Sequence, residues 1–247
     1  MPSRAPRILE SAHRWWTAAA SYEGRFRATR RLFAAFWEFL RDSTPSRLRS
    51  RYGDADYDWD YRVNTTSGGV GWQDRLLGVF HSAYQPTDPA AFLEMLAALA
   101  DHTHLNFPDF TFLDLGSGKG RTLLLASDYP FRRILGVELL PALDQIAQEN
   151  LRHYKNESQR CFALETICAD ATTFPLPDEP LVVYLFNPFG ESGLRHVIAN
   201  LEQTLRSKPR PLYLLYHNPL LEHVLAESAY LDKIAGTHQY SVWKSTA

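Results

Sequence analysis

Phe112-Leu113-Asp114-Leu115-Gly116-Ser117-Gly118-Lys119-Gly120 passes from an apolar run to an amphipathic one through three glycines at alternate positions. The run Phe110–Leu115 suits a buried strand, and Arg121–Asp128 suits a helix. The glycines then fall at the carboxyl edge of a first strand, where open α/β sheets bind their ligands. Glycine there lets the backbone turn sharply and approach a ligand with no Cβ in the way. Two phosphate-binding patterns each fail at one position. A dinucleotide fingerprint needs glycine where Arg121 stands, and a phosphate loop needs Ser or Thr where Gly120 stands. Asp114 points away from phosphate as well, because a carboxylate repels a pyrophosphate and attracts a cationic ligand. The same side chain is also placed to cap the turn that follows.

Outward from this stretch the pattern alternates. Further apolar runs suited to strands lie at Ile134–Glu138, Ala163–Cys168, Leu181–Phe186 and Pro211–Tyr216, with amphipathic stretches at Ala142–His153 and Gly193–Leu205. Strand, helix, strand, repeated, predicts an α/β fold with a parallel sheet covered on both faces. Two short strands near the end, Lys233–Gly236 and Tyr240–Trp243, predict an antiparallel hairpin. Glu138 ends the second strand, 20 residues past Gly118, a spacing at which an acid accepts hydrogen bonds from a ribose diol. Asp170 ends the third strand, where a carboxylate can accept from the exocyclic amine of adenine. Each acid alone is weak evidence. Three at the ends of three consecutive strands, one of them with a glycine loop, form a site.

Asp114–Gly120, Glu138, Asp170 and Asn187-Pro188-Phe189-Gly190 together resemble the successive motifs of class I S-adenosylmethionine-dependent methyltransferases, over roughly residues 84–247. The likeness is strongest to a group of bacterial methyltransferases with an upstream Tyr-x-Pro-Thr, here Tyr84-Gln85-Pro86-Thr87. The glycine loop is also similar to that of the class I, non-SET lysine methyltransferases. This resemblance implies a Rossmann-like sheet closed by the C-terminal hairpin, and S-adenosylmethionine as cofactor, with S-adenosylhomocysteine as product. It implies donor contacts from Asp114, Gly116, Ser117, Gly118, Gly120, Glu138, Leu139, Asp170 and Ala171, with Tyr84 and Thr87 closing over the methionine end. Asn187-Pro188-Phe189-Gly190 is similar to the Asn-Pro-Pro-Tyr motif of enzymes that methylate planar nitrogens. This chain has one proline, and Phe in place of Tyr, which leaves the acceptor nitrogen's type open. Asn-Pro is also an ordinary turn signal. Asn187 and Phe189 are the candidate acceptor-orienting residues. His217, in Tyr216-His217-Asn218-Pro219 at the end of the fifth strand, is a candidate proton acceptor.

Residues 1–75 are expected to form a helical arm and a lid loop, and residues 76–247 the methyltransferase domain. Residues 8–41 read as helix, with Trp15, Ala18, Ala19, Tyr22 and Phe26, then Leu32, Phe33, Phe36, Trp37 and Leu40, on apolar stripes. Such a stripe, Phe33, Phe36, Trp37 and Leu40 above all, is expected to pack on the catalytic domain, because soluble proteins rarely expose large apolar patches. Residues 1–51 hold eleven arginines against Glu10, Glu23, Glu38 and Asp42, a net +7 in a chain of net −2. A basic arm on an acidic body admits an RNA partner, although such charge runs are mostly solvated faces. Residues 43–71 read as loop. Tyr57, Trp59 and Tyr61 are candidate walls of an acceptor pocket, and Asp58 and Asp60 candidate partners for a cation. Asp54, Asp56, Asp58 and Asp60 alternate like calcium ligands, but Trp59 and Thr65 stand where such a loop needs glycine and glutamate, so no metal is expected.

Cys161 and Cys168 suggest neither a disulfide framework nor a zinc site, which fits a cytoplasmic setting. No run approaches the length of a membrane span and no leader is visible. Three functions follow: N-methylation of a protein side chain, lysine being a candidate; methylation of a small molecule beneath a helical lid; or donor or RNA binding without catalysis.

Overall fold

The computed structural model describes residues 13, 16, 17, 20, 24–30, 33, 55–66 and 85–246. The chain divides into two units, Met1–Ala55 with Thr66–Gln85, and Asp56–Thr65 with Pro86–Ala247.

In the second unit a seven-stranded sheet has the order β3-β2-β1-β4-β5-β7-β6. The strands are β1 (Thr111–Leu115), β2 (Arg133–Glu138), β3 (Leu164–Cys168), β4 (Leu181–Phe186), β5 (Leu212–His217), β6 (Leu231–Gly236) and β7 (Tyr240–Ser245). Strands β1 to β5 pair in parallel, and β7 lies antiparallel to both β5 and β6. This is the expected sheet, hairpin included. Its helices are α1 (Ala55–Tyr61), α2 (Pro89–His102), α3 (Arg121–Ala126), α4 (Pro141–His153), α5 (Glu191–Ser207) and α6 (Glu222–Ala226).

Every residue of β1 and all but the last of β4 are buried, so these strands show no polar alternation. Their side chains still alternate between two layers. Leu113, Leu115, Val183 and Leu185 pack with Leu194, Val197 and Leu201 of α5. Phe112, Val182 and Tyr184 pack on the other face with Phe92, Leu96 and Leu123 from α2 and α3. Helix α2 starts where Pro89 sets the first turn and the Asp88 carboxylate accepts the Ala91 N–H at 3.0 Å. Its buried side, Phe92, Met95, Leu96 and Leu99, repeats at helical spacing. The Phe92 ring stands edge-on to Phe112 and Tyr184, with centroids 5.9 and 5.8 Å away.

Two expectations about the arm change. Residues 55–61 are helical, where a loop is expected. The two-residue repeat of aspartates hides a helix whose inner side is Tyr57, Asp58 and Tyr61. Asp58 accepts from both the Thr65 N–H (2.8 Å) and its hydroxyl (2.5 Å), which closes the chain just after the helix. In the first unit, Gly24 interrupts the expected continuous helix at φ 84°, and residues 25–30 are helical beyond it. The second helical stretch turns Ala28 inward. Phe26 and Phe33 then lie about 160° and 140° round the helix from it, and they are 83% and 70% exposed. The expected burial of Phe33 is thereby overturned. Phe36, Trp37 and Leu40 lie outside the described residues.

Among the described residues no helix is long and apolar enough to cross a membrane.

Candidate active site

The positions expected to hold the donor lie at the carboxyl edge of β1, β2 and β3. The chain leaves β1 through Gly116, Gly118 and Gly120 at φ 97°, 56° and 82°. At Gly116 a Cβ would lie 2.6 Å from the Pro188 Cβ, so glycine is needed there for space as well as for conformation. The N–H groups of Gly116 and Ser117 both donate to the Val137 carbonyl, at 2.8 and 3.1 Å, which ties the loop to β2. The Ser117 hydroxyl is buried with no partner among the described residues. Gly136 makes room for it, since a Cβ at 136 would sit 2.7 Å from that oxygen.

Glu138 is nearly buried. Its Oε2 accepts the Gly118 N–H at 2.9 Å and its Oε1 the Leu140 N–H at 2.7 Å. Each oxygen keeps a lone-pair direction for a ligand hydroxyl. Burial pushes its carboxyl above the usual range, against the pull of those two N–H groups. Asp114 is buried more deeply. Burial first, and the Glu138 charge second, hold its carboxyl well above the usual range, opposed by a hydrogen bond from Thr122. A cationic ligand would offset both causes. Leu139 beside Glu138 is 39% exposed, an apolar surface suited to an aromatic base. Asp170 is exposed and spends Oδ1 on the Thr172 N–H (2.9 Å) and hydroxyl (2.7 Å), which leaves Oδ2 for a ligand. Ala171 beside it is buried.

At the ends of β4 and β5 two asparagines take the left-handed conformation, Asn187 at φ 44° and Asn218 at φ 51°. The Tyr216 hydroxyl donates to Asn187 Oδ1 at 3.0 Å and so fixes the amide. Phe189 is half-buried against the layer beneath α5. His217 stacks on Phe186, with ring centroids 4.0 Å apart and planes 8° from parallel. Its Nδ1 lies 2.8 Å from the Tyr184 hydroxyl. Burial holds the imidazole below its ordinary pKa, opposed by Asp88, so the ring is neutral near pH 7. Thr87 is buried, 2.9 Å from the Tyr184 hydroxyl and 3.1 Å from that of Thr122. Tyr84 lies outside the described residues.

The segment 57–65 meets the domain on the helical side of the glycine loop. Asp58 does find a cation, but it is Arg121 of the chain itself, 3.3 Å away and 1% exposed. Arg121 Nε also donates to the Thr65 hydroxyl at 2.7 Å, and the guanidinium lies over the Tyr57 ring, 4.5 Å from its centre. The Tyr61 ring packs on Tyr154 with centroids 5.4 Å apart. Lys119 donates to Asn64 Oδ1 at 3.0 Å. Asn150 bridges the two parts: its Nδ2 donates to the Asn64 and Lys119 carbonyls, and its Oδ1 accepts the Asn64 N–H. Trp59 and Asp60 are exposed. Tyr184, Thr122, Tyr216, Arg121 and Asn150 thus join the site or brace it without having been expected from the sequence. Their partners lie tens of residues away, where no local spacing reveals them.

Residues 113–207 match the model of a methyltransferase domain family. Over these residues the chain carries a methyltransferase domain. No curated protein matches the chain significantly. Among solved structures, the methyltransferase resembles an RNA methyltransferase from Salinibacter ruber in complex with S-adenosylhomocysteine. Identity is 21%, coverage 65% of this chain and 92% of that one, and the TM-score 0.43. It also resembles a predicted N6-adenine-specific DNA methylase from Listeria monocytogenes at 18% identity, covering 65% of this chain and about half (51%) of that one, TM-score 0.46. A third is an S-adenosylmethionine-dependent methyltransferase from Aquifex aeolicus, at 13% identity, 64% and 98% coverage and TM-score 0.44.

Proposed function

We propose that the methyltransferase transfers its methyl group to a nitrogen of the acceptor, oriented by Asn187 and Phe189, with His217 as the proton acceptor. One observation carries this reading. Asn187 is held left-handed at φ 44° with its amide fixed by Tyr216, immediately before Pro188, which touches the glycine loop. A non-glycine residue in that conformation is costly, and such strain clusters at functional sites. In this reading Asp114 meets the cationic end of the donor, Glu138 its ribose and Asp170 its adenine. Gly116, Gly118 and Gly120 bring the backbone close, and Ser117, Leu139 and Ala171 complete the contact. The residues fit: two buried carboxyls and an unsatisfied hydroxyl suit a ligand that carries an ammonium and a ribose diol. When bound, S-adenosylmethionine supplies a methyl carbon made electrophilic by its sulfonium; the carbon–sulfur bonding pair stays on sulfur and the acceptor's lone pair forms the new bond. The protein's part is alignment, with reacting atoms held roughly 3–3.5 Å apart.

For a protein side chain as acceptor, lysine included, the support from α1 rests on Trp59 and Asp60, whose side chains are exposed. Tyr57, Asp58 and Tyr61 are occupied within the domain. Incubation with tritiated-methyl donor and fractionated lysate tests the reading by separating protein, RNA and small-molecule products. Label in a protein fraction that acid hydrolysis assigns to a methylated nitrogen is the expected outcome. Label confined to small molecules moves the acceptor to that class, and label on oxygen or carbon overturns the role given to Asn187.

A further inference from the structure

Neighbours on two sides hold the glycine loop. On one side it is tied to β2, where the Gly116 and Ser117 N–H groups donate to the Val137 carbonyl and the Gly118 N–H to Glu138. On the other side the Lys119–Gly120 peptide is pinned at both ends. Its N–H donates to the Ser117 carbonyl at 2.8 Å, and its carbonyl accepts from Asn150 Nδ2 at 2.9 Å. Helix α3 leaves that carbonyl outside its ladder, because Gly120 is the cap and the first helical bond runs from the Leu124 N–H to the Gly120 carbonyl.

Asn150 is buried on α4, and one turn earlier Ala147 lies 3.2 Å from where a Cβ at Gly120 would be. The partners of Asn150 fix which end of its amide is which. Nδ2 donates to the carbonyls of Lys119 and Asn64, and Oδ1 accepts the Asn64 N–H at 2.7 Å. The side chain thus pairs with the Asn64 backbone in the way an adjacent strand would, and links it to the glycine loop. A second link runs beside the first, from Arg121 to Asp58 and to the Thr65 hydroxyl. The loop holds left-handed glycines at 116, 118 and 120, and glycine has more conformational freedom to lose than any other residue. Its neighbours must therefore impose its shape. With residues 57–65 undocked, the Asn150 amide loses its alignment and the Lys119 carbonyl its fixed donor.

We propose that Asn150 is a positioning residue for the donor, and that through it donor binding and the docking of residues 57–65 favour each other. The proposal rests on the donor lying at the glycine loop, as read above, and goes beyond that reading by giving a remote segment a part in donor affinity. Such coupling is reciprocal: whatever factor docking adds to donor affinity, the donor adds to docking. Asn150 acts through the loop backbone, so its loss appears in how tightly the donor is held.

Calorimetry with S-adenosylhomocysteine on the full chain is the first test. Asn150→Leu keeps the side chain's bulk and removes all three bonds, and is expected to weaken binding by about 10-fold. Asn64→Ala keeps the backbone groups that Asn150 pairs with and removes only the acceptor of the Lys119 amine. It is expected to lose less; an equal or larger loss would assign the effect to Lys119 and overturn the role of Asn150. A purely structural Asn150 would lower the urea midpoint and leave the affinity of the folded protein unchanged, which also overturns the proposal. Amide hydrogen exchange in the unaltered chain is the second test, and it decides even if Asn150→Leu does not fold. The Asn64 and Thr65 amides donate to Asn150 Oδ1 and Asp58 Oδ2, and the Thr237 amide to the Tyr240 carbonyl across the β6–β7 turn. Saturating S-adenosylhomocysteine is expected to slow exchange at Asn64 and Thr65 more than at Thr237. Equal slowing at all three, or none, overturns the coupling alone, whereas failure of the unaltered chain to bind S-adenosylhomocysteine overturns the donor site itself.

Discussion

Both halves of the sheet's carboxyl edge turn the chain left-handed as it leaves a strand, and they do so with different residues. On the donor side the turning residues are Gly116, Gly118 and Gly120; on the acceptor side they are Asn187 and Asn218. Glycine is required on the first side because neighbours have closed in: Pro188 stands 2.6 Å from where a Cβ would be at 116, and Ala147 3.2 Å at 120. On the second side a side chain is retained although the conformation costs an L-residue roughly 1 kcal/mol or more, least for asparagine. In the proposed reading, the donor site, whose ligand is common to many enzymes, is built from backbone, while the acceptor site keeps its side chains and accepts the strain.

The largest effect expected tests how firmly the donor side is braced. Asp58→Ala removes the carboxylate from the buried Arg121 guanidinium, at a cost of about 3–4 kcal/mol in unfolding free energy. Urea titration measures it; a change below about 0.5 kcal/mol, the level of ordinary surface substitutions, would mean that the 57–65 segment braces nothing. Gly116→Ala adds a clash to an unfavourable φ and should cost about 3 kcal/mol. Donor binding should weaken with it, by calorimetry. An alanine variant that binds normally would remove the contrast between the two halves.

Asn187 allows the backbone and the amide to be separated. Asn187→Gly keeps the left-handed turn and loses the amide, and turnover should fall roughly 100-fold with donor affinity unchanged. Asn187→Ala should be no more active and less stable. If the glycine variant is fully active, the turn matters and the amide does not. Glu138→Ala should weaken donor binding by roughly 10-fold, with about 1–2 kcal/mol lost for the unpaired hydroxyls; unchanged affinity by calorimetry would remove Glu138 from the ribose site.

The smallest effect is one of pH. Burial holds Lys119 down to about 8, against the pull of Asp58. The folded chain therefore releases this proton at lower pH than the unfolded chain, in which lysine titrates at about 10.4. Between these values the unfolded state binds more protons, so the contribution of Lys119 to stability rises as pH is raised from 8 toward 10. Lys119→Met should abolish that rise in urea midpoints; an identical profile in both proteins would place the amine in water.

The glycine turns and the acids at the strand ends were readable in the sequence because their constraints are local. Glycines at alternate positions, and an acid at each strand end, are demanded by turns and edges that lie within a few residues. The sheet was readable for the same reason, since buried strands and amphipathic helices differ in period. What stayed hidden depends on distant partners. Thr87 meets Tyr184 across 97 positions, and Arg121 meets Asp58 across 63. Helix α1 was concealed by its aspartates, whose period of two masks the helical grouping of Tyr57, Asp58 and Tyr61. At the arm, Gly24 falls inside the Trp15–Phe26 stripe and shifts its phase, so a pattern summed across it assigned Phe26 to the wrong side.

The position of β7 carries a consequence for the order of assembly. It follows β5 and β6 in the chain yet lies between them, and β5 and β6 run in the same direction. Until Tyr240–Ser245 arrives, both of its neighbours present unpaired edges, one of them the apolar β5, and they could pair directly in a sheet of the wrong order. The turn at residues 237–239 guards against that. A hairpin so short closes in about 1–10 μs, far faster than a parallel pairing that must wait for a crossover. Strands β6 and β7 can therefore dock as a preformed pair, and β7 joins the sheet together with the strand before it.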